Sequence, residues 1–125
     1  MFLKYNIFSI GWMLTIAVLS FLPGGDLPKV EIAQIDKLVH FIFYFLLFSF
    51  TFYGWKKQSQ FMLLKTAPLV TIWFACILFG VGIELGQEFL TTDRHFEWLD
   101  VFSNTSGAFV AMLAWNLSLK KIFVQ

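Results

Sequence analysis

Charge is scarce in this chain. Only 14% of its 125 residues are Asp, Glu, Lys or Arg, against about 25% in an average soluble protein. That scarcity excludes an ordinary soluble domain. A fold this small leaves about a third of the unfolded chain's surface in water, and 17 Phe with 5 Trp cannot all be hidden under so few charges. A disordered chain is excluded as well, since it needs polarity to stay expanded. A net charge of +1 gives no field to attract a polyanion, so no nucleic-acid partner is expected. Cysteine is almost missing: Cys76 alone can form neither an intrachain disulfide nor a paired-cysteine metal knuckle. There is no Gly-x-Ser-x-Gly elbow, and no apolar–polar alternation of the kind a β-barrel requires.

What is present is long and apolar. Four stretches, 5–23, 38–55, 66–83 and 101–119, carry no charge apart from His40. Each is close to the ~20 residues needed to cross ~30 Å of hydrocarbon. In lipid every backbone amide must be paired inside its own segment, so such runs are helices. The first run ends in Phe21-Leu22-Pro23-Gly24-Gly25 without a small-x-small cleavage site. It is read as a retained helix rather than a signal peptide. The expectation is an all-α membrane protein, a four-transmembrane-helix bundle in one domain over 1–125, with helices near 5–22, 37–55, 65–89 and 100–119.

The lysines orient it. Lys4, Lys56, Lys57, Lys65, Lys120 and Lys121 fall on one side, and Lys29, Lys37 and Arg94 on the other. Short basic loops stay inside, which predicts both termini in the cytoplasm. All the acids, including Asp26 and Glu31, fall on the outer side. Acids weigh little in insertion, so their gathering is either a solvated rim or a site.

The outer half holds the unusual chemistry. Asp36 and His40 are four apart at the start of the second helix, with Tyr44 one turn further on the same face. Asp36 could be a plain N-terminal cap. An ionisable His40 within a span marks a functional candidate by default. Glu84, Gln87 and Glu88 make a polar stripe at the end of the third helix, and Gly82-x-x-x-Gly86 beside it matches a close-packing pattern. Asp100 and Asn104 repeat the four-residue spacing at the start of the fourth helix, where Asn104 could simply join helices. Arg94, the single arginine, could pair with Asp93, Glu97 or Asp100, or clamp a phosphate. If these faces turn inward, His40, Glu84, Gln87 and Asn104 meet in one pocket open to the outside.

The segments DKLVHFIFYF (36–45), IELGQEF (83–89) and RHFEWLDVFSNTSGA (94–108) together resemble the VanZ-like family of small bacterial membrane proteins, named after a teicoplanin-resistance protein. The resemblance covers about residues 20–115. It rests on Asp36, Lys37, His40, Tyr44, Glu84, Gln87, Arg94, Asp100, Asn104, Gly107 and Ala108. One departure is the Thr91-Thr92-Asp93 that precedes Arg94, where members often have proline. The resemblance implies a multi-pass protein of the bacterial cytoplasmic membrane acting at the cell envelope, with reduced lipoglycopeptide susceptibility in some members. It supplies no reaction.

Three functions compete. The first is binding or remodelling of a membrane lipid or lipid-linked envelope precursor, with Lys37 and Arg94 holding a headgroup. The second is a membrane enzyme, with His40 and Glu84 as general base and acid or with Asp36, His40, Glu84 and Asp100 around a divalent cation such as Mg²⁺ or Mn²⁺. The third is an accessory protein whose polar residues only lock the bundle. No cofactor is expected beyond that cation, and the sequence is silent on oligomeric state.

Overall fold

The computed structural model describes residues 2–23, 33–58 and 67–123. Gly24, Gly25, Asp26, Lys29, Glu31 and Lys65, which entered the sequence reading, lie outside them. The described residues form four helices: α1 (Phe2–Phe21), α2 (Ala33–Lys57), α3 (Pro68–Leu90) and α4 (Trp98–Phe123). α1, α2 and α3 are long and apolar enough to cross a membrane. α4 is more polar but lies in step beside α2.

The helices outrun the charge-free stretches. α2 includes Asp36 in its first turn and Lys56 and Lys57 in its last, and α4 repeats the layout with Asp100, Lys120 and Lys121. Acids at a helix start and cations at its end complement the macrodipole, so these charges extend the helices instead of stopping them. α3 begins with a proline just inside its first turn and ends where Thr91 turns extended, with the Thr91 hydroxyl donating to the Gln87 carbonyl at 2.6 Å.

Contacts between helices fix the topology. Ser9 on α1 bonds Thr51 on α2 at 2.7 Å, and the Trp12 indole donates to the Phe43 carbonyl at 2.9 Å, so α1 and α2 are antiparallel. Lys37 meets Asp100, and Phe52 lies 5.1 Å from Trp115, so α2 and α4 are parallel. Trp73 on α3 donates to the Thr105 carbonyl at 3.2 Å. All six described acids gather at one end of the bundle. Lys4, Lys56, Lys57, Lys120 and Lys121 gather at the other. These are the acidic and basic ends below.

α2 and α4 touch most closely at Gly107, where even a Cβ would run into the Phe41 carbonyl. Ala108 and Ala111 continue that fully buried face. The Gly82-x-x-x-Gly86 pattern does not make such a contact: Gly82 has open space where its Cβ would be, and Gly86 meets only the Phe21 ring. Gly80, not Gly82, faces the interior, against Asn104 and Tyr44. The helices are apolar on every side, so spacing alone could not say which glycines turn inward.

The distribution of polarity is inverted relative to a soluble domain. Asn6, Ser9, Glu84, Gln87, Asp100 and Asn104 are buried, while Phe89 and Trp98 are 79% and 76% exposed. An apolar outside around a partly polar inside is the solution a lipid solvent selects.

Candidate functional site

The acidic end is organised around Lys37. Its ammonium bonds Glu97 at 2.7 Å and Asp36 at 3.2 Å, and it is closest to Asp100. From the sequence, Arg94 is one candidate partner for Asp93, Glu97 or Asp100, the alternative being a phosphate clamp. Lys37 takes Glu97 and Asp100 because the parallel α2 and α4 bring their first turns together. Arg94 instead borders a cavity.

His40 lies one turn deeper. Its Nδ1 is 3.0 Å from the Asn104 side-chain amide. Nε2 faces Asp100 at 3.6 Å and Asp36 at 3.8 Å. Asp36, His40 and Asp100 offer ligand atoms within 4.8 Å of one another, a donor set suited to a hard divalent ion. Lys37 already supplies one positive charge there, and an incoming cation would have to share the carboxylates with it.

Glu84 is fully buried but plays a different part. Its Oε2 accepts the Glu97 amide at 3.2 Å, and one turn on, Glu88 accepts the Phe96 amide at 2.8 Å. Two carboxylates of α3 thus hold the chain entering α4. Glu84 acts as the carboxylate of a capping box supplied from a neighbouring helix. Glu84 Oε1 and the Tyr44 hydroxyl are buried without a hydrogen-bond partner among the described residues. Gln87 donates to the Ser20 carbonyl at 2.9 Å, which ties α3 to α1.

A cavity of about 310 Å³ opens beside this network. Ser20, Asp36, His40, Tyr44, Arg94 and Asn104 line it together with aliphatic and aromatic side chains, Ile16 and Ile83 among them. The structure therefore splits the candidates of the sequence. Asp36, His40, Tyr44, Arg94 and Asn104 share a cavity wall; Lys37 and Asp100 stand behind it as an ion pair; Glu84 and Gln87 fasten helices and do not line it. Sequence reasoning passed over Ser20 and Ile16, whose only signal is that they recur at helical spacing on α1. It also passed over Glu97 as the partner of Lys37, which no local spacing could reveal.

Fold and site together define an all-α membrane protein with a polar pocket set in an apolar bundle. The chain matches the VanZ/LLP1 family over residues 3–119 and belongs to it. No curated protein and no solved structure matches it.

Proposed function

We propose that the protein binds an amphiphile at the cell envelope, a membrane lipid or lipid-linked envelope precursor, through the pocket at its acidic end. The observation that carries this reading is the cavity's two-part lining. Asp36, Arg94 and Ser20 lie at the helix ends and His40 and Asn104 a turn deeper, while Ile16, Phe43 and Ile83 line the rest. A headgroup with hydroxyl, amine or phosphate groups suits the first set, and an acyl or prenyl chain the second. By the lysine asymmetry the acidic end faces outward across the bacterial cytoplasmic membrane. An effect on glycopeptide susceptibility would follow if the bound molecule is a wall precursor.

The enzyme reading has less support. His40 lines the cavity, but Glu84 does not, and one of its oxygens is engaged by the Glu97 amide. The accessory reading accounts for Lys37, Glu84, Glu88 and Gln87, which bind helices together, but not for an open cavity beside them. A divalent cation on Asp36, His40 and Asp100 would bridge to a phosphate and fits the binding reading.

The test is lipid-dependent thermal stability of the purified protein in detergent. Phosphatidylglycerol, phosphatidylethanolamine and undecaprenyl phosphate are the probes. A ligand at 100 times its Kd stabilises by about 2.7 kcal/mol. At least one probe should raise the melting temperature of the wild type by several degrees. His40→Asn and Asn104→Leu should abolish the rise. Equal responses of wild type and both variants would overturn the assignment.

A further inference from the structure

A second cavity, of about 280 Å³, opens at the basic end between α1, α2 and α3. Asn6, Ser9, Thr51 and Gln58 give it an uncharged polar lining, with Met13 and Ile72 beside them. It is built on the same helix faces as the first. On α1, residues 6, 9, 13, 16 and 20 follow one another at intervals of three or four and so form one stripe. Its lower part lines the basic-end cavity and its upper part the acidic-end cavity. On α2, His40 and Tyr44 line the acidic-end cavity, and Thr51 and Trp55, with Gln58 just past the helix end, line the basic-end one. α1 packs chiefly on α2 and touches α3 little. The two cavities are thus widenings of one seam along α1.

The closure between them is an apolar plug of unequal depth. On α1 it is the single turn from Met13 to Ile16, about 4.5 Å along the axis; on α2 it runs from Tyr44 to Thr51, about 10 Å, and on α3 from Ile72 to Ile83, about 16 Å, at 1.5 Å per residue. Ile16 is 2% exposed and packs in one cluster with Leu47, Ile72 and Cys76. On either side of this apolar collar the seam offers hydrogen-bonding groups: Asn6 and the Ser9–Thr51 pair below, the Tyr44 hydroxyl and the His40–Asn104 pair above. The basic-end groups have partners within the bundle, Asn6 on the Phe2 carbonyl, Thr51 on Ser9 and the Leu47 carbonyl, Gln58 on the Gly54 carbonyl, and they also line open volume; polar groups along a cavity within a span are candidates for a substrate path.

We propose that the α1 seam is a transbilayer track, along which the hydrogen-bonding headgroup of an amphiphilic lipid passes between the two cavities across the Ile16 collar. Each cavity is near the lower end of the ~300–1,000 Å³ range of ligand pockets. That is room for a headgroup but not for two long chains, which stay in the surrounding bilayer. The proposal rests on the acidic-end pocket as the headgroup's outer station.

The experiment uses the full chain in liposomes containing trace phosphatidylglycerol or phosphatidylethanolamine with an NBD fluorophore on one acyl chain. Dithionite bleaches only probe in the outer leaflet. Protein-free vesicles should retain their inner-leaflet fluorescence, and vesicles holding the wild type should lose most of it. Ile16→Ala should speed the loss several-fold. Met13→Trp and Ser9→Leu act at the basic-end cavity, the second also removing the bond to Thr51; they should slow the loss several-fold while the lipid-dependent melting shift at the acidic end persists. Wild-type vesicles that bleach no further than empty ones, or bleaching indifferent to all three substitutions, would overturn the track. If the melting shift survives that result, the pocket reading stands alone; if both are absent, both fail. Should one plugging variant be lost in folding, the other carries the same comparison.

Discussion

The side chains around Lys37 are unequally wet. Lys37 is 23% exposed and Asp100 10%, while Asp36 and Glu97 stand at 51% and 57%. The Lys37–Asp100 pair is therefore the one that acts at low dielectric; the other two contacts are screened and weak. Removing the ammonium leaves three carboxylates beside His40. Breaking a fully buried pair costs about 3–5 kcal/mol, and the solvent reaching Asp36 and Glu97 lowers the expectation for Lys37→Ala to roughly 1–3 kcal/mol. The vacated charge can be replaced by a divalent ion on Asp36, His40 and Asp100. Lys37→Ala should melt several degrees below the wild type in chelator, and millimolar Ca²⁺ should recover most of the difference while moving the wild type little. An equal Ca²⁺ response in both proteins would mean that the cluster has no vacant place for a cation.

At the scale of the helices, the sequence allowed existence and order to be read but not facing. Charge-free runs implied helices at 5–22, 37–55, 65–89 and 100–119, and the helices run Phe2–Phe21, Ala33–Lys57, Pro68–Leu90 and Trp98–Phe123. The added turns come from treating charge as punctuation. Lys56, Lys57, Lys120 and Lys121 remain helical because they suit the C-terminal dipole and can snorkel. The pairs Asp36/His40 and Asp100/Asn104 were legible because four-residue spacing is a local property. Their partners across helices were not, since a helix apolar on all sides has no moment to point its polar residues. Gly82 and Gly107 make this difference measurable. Gly82→Ala adds a methyl to open space and should leave stability unchanged or raise it by up to ~1 kcal/mol through helix propensity. Gly107→Ala must push α4 away from the Phe41 backbone and should cost about 1–3 kcal/mol, as overpacking does. Unfolding of both variants in mixed micelles checks the pair. A mild effect at Gly107 equal to that at Gly82 would remove the close α2–α4 contact as an organising feature.

For the whole molecule, the segregation of charge predicts which side of the membrane the pocket faces. The basic end collects Lys4, Lys56, Lys57, Lys120 and Lys121, and the acidic end carries the cavity with Asp36, His40 and Arg94. Each basic residue left on the wrong side weakens insertion, whereas acids are nearly indifferent; the lysines are therefore expected to set the orientation. Cysteines placed at Gln58 and Thr92 report on the two ends. Cys76 is buried and unpaired, so Cys76→Ala gives a background in which only the introduced thiol reacts. An impermeant maleimide on intact cells should label Thr92→Cys and spare Gln58→Cys. Permeabilised cells should label both, which shows that the half-buried position 58 is reactive once reached. Labelling of Gln58→Cys alone in intact cells would turn the molecule over. The charged pocket would then serve the cytoplasmic leaflet, and a ligand exposed on the envelope side could reach it only through the uncharged cavity of Asn6, Ser9 and Thr51.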